Sequence, residues 1–265
     1  MKIIVPIKQV PETSNVKMDP VTGTMVREGV EPIINPLDLY AIEAGVQLKE
    51  KFGGKVIAVT MGPAKAELAI KEAVAMGCDD GVLLSHKAFA GADTWATSYV
   101  LAQAIKKLMP FDLILCGERA TDGDTGQVGP GIAAWLDLPF ATYISAINET
   151  TDKELIIERM VETGYEQLAI ELPCLLTVVK ELNYPRLPTL KGKITARNMT
   201  LPVWGPDEVA ALPENLGLKG SPTRVVKIAT PQVARFGEII KPKDERELEK
   251  AVDGLLDYME KHAII

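Results

Sequence analysis

Cysteine, histidine and aromatic side chains are scarce in this 265-residue chain, and each scarcity excludes a class of chemistry. The three cysteines, Cys78, Cys116 and Cys174, are odd in number and far apart, which gives neither a disulfide framework nor a metal site. They read as small buried apolar residues. His86 and His262 are too isolated for a metal centre or a Ser-His-Asp triad. Aromatic residues at 5% offer no platform for stacking bases. No basic run exceeds two residues and the net charge is −7, which argues against nucleic acid and anionic membrane as main partners. No apolar stretch is long enough for membrane insertion. The start, Met1-Lys2-Ile3-Ile4-Val5-Pro6, reads as a first strand and not as a signal peptide, so a cytoplasmic protein is expected, or the mature form of one that works in a reducing interior. No residues resemble a nucleophile with its base, or a pair of acid/base carboxylates. No catalytic residue and no metal ligand is therefore assigned, and any redox chemistry would come from a bound cofactor.

What is present is an alternation of short apolar runs with amphipathic stretches. Strands are expected at Lys2–Ile7, Lys55–Thr60, Gly81–Ser85 and Phe111–Cys116. Helices are expected at Pro36–Phe52, Ala64–Met76, Asp93–Met109 and Gln127–Leu136. Asn35 ahead of Pro36 suits an N-cap with proline at the first helical position. Gly53-Gly54 and Gly77 suit helix ends. This alternation predicts an α/β fold: a Rossmann-like, doubly wound, mostly parallel sheet. After Pro139 the pattern changes. Leu155–Val161 and Gln167–Glu171 read as an additional antiparallel strand pair, followed by an apolar strand at Cys174–Val179. Proline and glycine are dense from Asn183 to Pro222, which reads as loop that a partner would order. Asp244–His262 reads as a charged amphipathic helix with Leu248, Val252, Leu255, Leu256 and Met259 on one side, closing a C-terminal arm. The expected division is 1–183, 184–222 and 223–265.

The segment with most chemistry runs from Glu118 to Gly131, between an apolar strand and a helix. Ligands of open α/β sheets bind outside the carboxyl ends of strands. Gly123, Gly126 and Gly129 permit close backbone approach. Thr121, Thr125 and Gln127 add neutral donors, and the helix N-terminus adds oriented N–H groups for a phosphate. Asp122 and Asp124 would repel phosphate, so they are expected to cap the helix or to accept from a ribose hydroxyl. Gly126→Leu is expected to block the cofactor and leave the fold intact. Neither a Walker lysine nor a full G-x-G-x-x-G is present. Met61-Gly62-Pro63 is a place of close ligand approach or a simple βα turn. Asn35-Pro36-Leu37-Asp38 opens a helix, with capping alone as the plain alternative. Lys8 ends the first strand, where it meets a cofactor or is solvated.

Taken together, Lys8-Gln9-Val10-Pro11, Asn35-Pro36-Leu37-Asp38, Thr60-Met61-Gly62-Pro63, Ala120–Gly131, Glu162-Thr163-Gly164-Tyr165-Glu166 and Leu172-Pro173-Cys174-Leu175-Leu176-Thr177 make a specific set. Through them the sequence resembles the β subunit of electron transfer flavoproteins across nearly its whole length. The resemblance implies a heterodimer with an α subunit whose FAD domain is completed by the β chain's C-terminal part. It implies a nucleotide site at Pro6, Lys8, Asn35, Asp38, Met61, Gly62 and Ala120 to Gly131, including Pro130. That site holds FAD in the electron-bifurcating, NADH-dependent type, or a structural AMP in the other type. In the bifurcating type NADH supplies electrons, one going to ferredoxin or flavodoxin and one, through the α subunit, to an acyl-CoA dehydrogenase-type flavoenzyme. Small residues at Gly123, Thr125 and Gly126 favour FAD, as does Gln9-Val10-Pro11-Glu12-Thr13, in which Glu12 stands where aspartate is usual. The stretch Asn183–Leu190 looks like the family's partner-recognition loop, with Arg186, Leu187, Pro188 and Leu190 as its recognition residues. Lys191-Gly192-Lys193 departs from a more apolar family pattern. Outside the resemblance, the alternative is a stand-alone nucleotide-binding stress-type protein. Against it stand the loop-rich segment and the C-terminal helix, which lack an evident packing surface in a monomer.

Overall fold

The computed structural model of the chain describes residues 1–12, 32–226 and 239–264. Thr13 and residues 227–238 of the expected arm lie outside the described residues. The chain divides into two units, Met1–Ile228 and Ala229–Ile265.

The first unit runs β1 (Lys2–Pro6), β2 (Gln9–Pro11), β3 (Pro32–Ile34), α1 (Asp38–Phe52), β4 (Lys55–Met61), α2 (Glu67–Met76), β5 (Asp80–Leu84), α3 (Thr94–Lys107), β6 (Leu113–Gly117) and α4 (Val128–Leu136). It continues with β7 (Phe140–Thr150), β8 (Glu154–Val161), β9 (Gly164–Glu171), β10 (Cys174–Val178), α5 (Leu190–Asn198), β11 (Val203–Trp204) and α6 (Gly217–Gly220). Among the described residues one sheet takes the order β11-β5-β4-β1-β6-β10-β7-β8-β9. It is parallel from β11 to β7 and antiparallel from there to β9. The fold is therefore α/β with a large, mostly parallel sheet, as the strand–helix alternation predicts.

Period-two alternation divides the central strands between two cores. Ile3, Val5, Val56, Ala58, Leu113 and Leu115 face one side, against Ala41, Ile42 and Val46 of α1 and Ile70, Ala73 and Val74 of α2. Ile4, Ile57, Val59, Ile114 and Leu175 face the other, against Tyr99 to Ile105 of α3 and Ile132 of α4. Helices thus cover both faces, as double winding requires. The three cysteines are free and buried, and burial pushes the Cys78 and Cys174 thiols up to about 12. The chain leaves β1 toward β4 and β5, then returns past β1 to β6. The strand order reverses between β1 and β6.

Two segments differ from expectation. β7 adds a third strand to the antiparallel pair and joins it to the parallel sheet through β10. Its alternation is blurred by two register shifts against β8, and only part of it is buried. The stretch from Asn183 to Pro222 is structured. β11 extends the sheet edge in parallel with β5. α5 starts at Thr189, whose side chain accepts from the Gly192 N–H at 3.0 Å, while the Thr189 N–H donates to the Ala75 carbonyl at 3.0 Å. α5 has no apolar stripe to show in sequence; its cap and its packing on α2 form it. In the second unit α7 (Glu245–Lys261) is capped by Asp244, which accepts from the Glu247 N–H at 2.8 Å. Leu248, Val252, Leu255 and Leu256 are exposed along it.

A Cβ at Gly192 would stand 2.3 Å from the Ala75 carbonyl oxygen. Gly192→Ala is expected to lift α5 from α2 and destabilise the domain by roughly 1–3 kcal/mol, measured by urea unfolding. An unchanged midpoint would contradict close packing of this segment.

Candidate functional site

The carboxyl ends of β1, β4 and β6 open on one cleft of about 680 Å³. That lies within the ~300–1,000 Å³ usual for ligand pockets, at the topological switch point where open α/β sheets bind ligands. Pro6, Ile7, Lys8 and Met61 line one side; the loop Gly117–Gln127 and the start of α4 line another. The start of α3 and Thr223 close the third. A hollow of about 740 Å³ at the β7–β8 turn is framed by Thr151–Glu154, Glu171 and Leu172, an open outer hairpin lacking this convergence of strand ends and helix N-termini.

Asp38 ties the switch point together. Its carboxylate accepts from the Lys8 N–H at 2.7 Å and from the Asn35 amide at 3.0 Å. A Cβ at Gly117 would come 2.4 Å from Asp38 Oδ1, so glycine is required where the end of β6 crosses α1. Asn35 also donates to the Arg119 carbonyl at 2.9 Å and accepts from the Thr121 N–H at 3.1 Å. One asparagine and one aspartate thus hold the ends of β1 and β6 and the cleft loop in register. Burial pushes the Asp38 carboxyl up to about 7, against the opposing pull of the hydrogen bonds from Lys8 and Asn35.

Asn35 is therefore not the expected N-cap. α1 begins at Asp38 behind Leu37, with no side-chain cap bond. The expectation for Asp122 and Asp124 is also corrected in part. Neither caps α4, whose N-cap is Gln127 without a side-chain cap bond. Asp122 pairs with Lys8 Nζ at 2.6 Å and Asp124 with Arg119 Nε at 2.8 Å. The loop places its acids on cations, not on amides. Asp124 and Gly126 both have left-handed backbone, with φ of 53° and 63°. Gly126→Leu would therefore strain the backbone as well as fill the cleft, so it does not leave the fold untouched. Gly123 meets nothing within 4 Å and lines the cleft, which makes it the cleaner position for added bulk.

Of the residues singled out in sequence, Pro6, Lys8, Asp38, Met61, Ala120, Gly123, Thr125, Gly126, Gln127, Val128 and Gly129 line the cleft. Asn35, which is buried, and the exposed Thr121, Asp122 and Asp124 are not among its lining residues. Gly62 donates its N–H to the Leu84 carbonyl and leaves room for Ala66. Gly131 packs against Ser98, and Pro130 is the third residue of α4. Val128 and Gly129 carry first-turn N–H groups, which have no carbonyl partner within an α-helix. Phe89, Asp93, Thr94, Thr97 and Thr223 also line the cleft and were missed. Gly91-Ala92-Asp93-Thr94 follows β5 at the same sheet edge, so position in the βα alternation would have found it. Asp93 caps α3, accepting from the Ala96 N–H at 3.1 Å, and accepts from the Thr223 hydroxyl at 2.8 Å. Thr94 donates to the Gln127 side chain at 2.8 Å, linking the starts of α3 and α4.

The segment read as partner recognition is pinned to the domain. Arg186 Nε and Nη2 donate to both oxygens of buried Glu43 at 2.8 and 3.0 Å, and Nη1 and Nη2 reach Glu50 at 2.5 and 2.9 Å. The guanidinium holds the Glu43 carboxyl below the usual range, against the effect of burial. Arg186 is thus spent on its own α1. Pro188 lies over the α2–α5 groove. Tyr184, Leu187 and Leu190 project, at 95%, 85% and 77% exposure.

Residues 22–209 match the electron transfer flavoprotein domain family. The chain is 47% identical to the electron transfer flavoprotein subunit beta of Thermoanaerobacterium thermosaccharolyticum, with 100% of each chain covered. It is 48% identical to the caffeyl-CoA reductase-Etf complex subunit CarD of Acetobacterium woodii, over 91% of this chain and 92% of that one. It is 42% identical to the acryloyl-CoA reductase electron transfer subunit gamma of Anaerotignum propionicum, with 100% of each covered.

Two outcomes follow from these contacts. Because the Asp38 pKa is raised from 3.8 to about 7, folding takes up a proton between those values. Its contribution is full at pH below about 4 and is lost as pH rises through about 7. The stability of wild type relative to Asp38→Asn should therefore fall as pH rises over that interval in urea melts; a pH-independent difference would contradict it. Arg186→Ala leaves Glu43 buried without its partner and should cost roughly 2–3 kcal/mol, less than a fully buried pair because Glu50 is exposed. Calorimetric melting checks this, and a change below about 0.5 kcal/mol would show that the clamp is idle.

Proposed function

The chain belongs to the electron transfer flavoprotein family, as its β subunit, and from that premise we propose that its cleft binds FAD and that the subunit receives electrons from NADH and bifurcates them. The observation that carries this reading is the cleft itself. The Gly117–Gly129 loop meets two helix N-termini and two cations at the switch point. The donor set fits a nucleotide. Val128 and Gly129 offer N–H groups to a phosphate, Lys8 and Arg119 offer charge, and Gly123 and Gly126 leave room for a ligand larger than a nucleoside monophosphate. Bound there, FAD would supply two-electron acceptance and one-electron delivery. The chain's own residues bind it and set its surroundings: the Asp38 knot fixes the two loops against each other, and Met61 and Phe89 give the cleft apolar wall.

In this reading the β chain works beside an α subunit that holds a second FAD. One electron goes to ferredoxin or flavodoxin and the other, through the α subunit, to an acyl-CoA dehydrogenase-type flavoenzyme. The names of the relatives from caffeyl-CoA and acryloyl-CoA reductase systems support a partner that handles acyl-CoA thioesters. Leu187 and Leu190, displayed by the Arg186 clamp, are the proposed contacts. Residues 1–183 form the nucleotide-binding domain, 184–222 the recognition segment, and 223–265 the arm whose helix α7 completes the α subunit's flavin domain through its exposed leucines. No helix among the described residues is long and apolar enough to cross a membrane, and the proposed location is the cytoplasm.

Denaturing the purified α–β pair and counting released FAD and AMP tests the assignment. Two FAD per pair, with flavin bleached by NADH, is the expected result. One FAD accompanied by AMP would overturn it in favour of a structural nucleotide.

A further inference from the structure

Among the described residues two cations line the cleft, and both are engaged by acids of its own loop. Lys8 Nζ lies 2.6 Å from Asp122 Oδ1, and Arg119 Nε lies 2.8 Å from Asp124 Oδ1. Lys8 and Arg119 line the cleft, and Asp122 and Asp124 pair with them from exposed positions on its loop. Asp38, Asp93 and Glu118 line the cleft as well, so among the described residues three carboxyl groups and two cations line it. A phosphate placed among them with both cations still paired would meet little net positive charge. Asp93 is committed to the start of α3 and to Thr223, and Glu118 lies 3.5 Å from Arg119 Nε, a looser contact than the two pairs made by Asp122 and Asp124.

We propose that Asp122 and Asp124 are built-in competitors for the ligand's phosphates. They compete with an incoming phosphate for Lys8 and Arg119, so they set nucleotide affinity in proportion to phosphate count. The inference rests on reading the cleft as a nucleotide site. The exchange is energetically easy. Each pair is a single contact between partly exposed side chains, a class worth about 0–1 kcal/mol. A phosphate offers arginine a two-pronged, charge-assisted contact roughly twice as strong as a neutral hydrogen bond. The acids are two residues apart, at most about 7 Å along the chain, and their partners Lys8 and Arg119 line the same cleft, where a diphosphate offers a second phosphate to the second cation. Asp124 sits in left-handed backbone, which aspartate and asparagine both accept. Asp-to-Asn changes therefore remove the charge and keep the loop's shape.

The test is calorimetric titration of the full chain, freed of bound nucleotide, with ADP, AMP and adenosine as probes. Asp122→Asn with Asp124→Asn should tighten AMP roughly two- to fivefold and ADP by the product of two such factors, roughly four- to 25-fold. Adenosine, which has no phosphate, should be unaffected. In a Lys8→Gln background the gain from Asp122→Asn should vanish, because the competitor then has nothing to hold. Equal or weaker ADP binding by the Asn variants would overturn the inference, as would a gain that persists without Lys8, which would mark a general charge effect. A wild-type chain that binds neither ADP nor AMP would overturn the nucleotide reading of the cleft itself, and the inference with it.

Discussion

A buried carboxyl group at the point where the sheet reverses direction is the constraint on which the cleft depends. β1 and β6 are neighbours, yet the chain approaches them from opposite sides, and their following loops part there. Asp38 fills the gap and accepts from the end of β1, while Gly117 gives up its side chain to let it in. Burying a carboxyl costs stability even with good donors, and the raised pKa of Asp38 records that cost. What the group supplies is position. Through Asn35 the same knot reaches Arg119 and Thr121, so the loop that frames the cleft is set by a residue far away in sequence.

The architecture was largely legible because buried parallel strands and two-faced helices write their periods into the sequence. Ile3, Ile4 and Val5 need no context to be read as a strand buried on both faces. β7 was not legible, since its bulges break the alternation and its outer half faces water. α5 was not legible either. Its helix depends on Thr189 and on a backbone contact between Gly192 and Ala75, which no local pattern encodes. The orderly packing of that segment also removes one reason for expecting it to need a partner.

The cleft was legible by place and only partly by contact. Glycines and small polar residues after the fourth expected strand located the loop, but the partners of Asp122 and Asp124 come from Lys8 and Arg119, and the partner of Lys8 lies 114 residues away. The same holds for the α3 start, which joins the cleft through the fold. Arg186 shows the reverse case. The family resemblance names it a recognition residue, and in the structure its guanidinium binds Glu43 and Glu50 of its own domain. The apolar side chains of Tyr184, Leu187 and Leu190 beside it stay exposed. Ion pairs in this protein hold loops in place, and those of Lys8 and Arg119 do so at the edge of the cleft.

The central claim is that the cleft between the carboxyl ends of β1 and β6 is the nucleotide site of this subunit. A crystal structure of the purified complex with its α subunit tests it most directly. The expected result is nucleotide density between Lys8, Met61, the Gly117–Gln127 loop and the start of α4, with its phosphates on the N–H groups of Val128 and Gly129. An empty cleft in a complex that holds its nucleotide elsewhere would contradict the account.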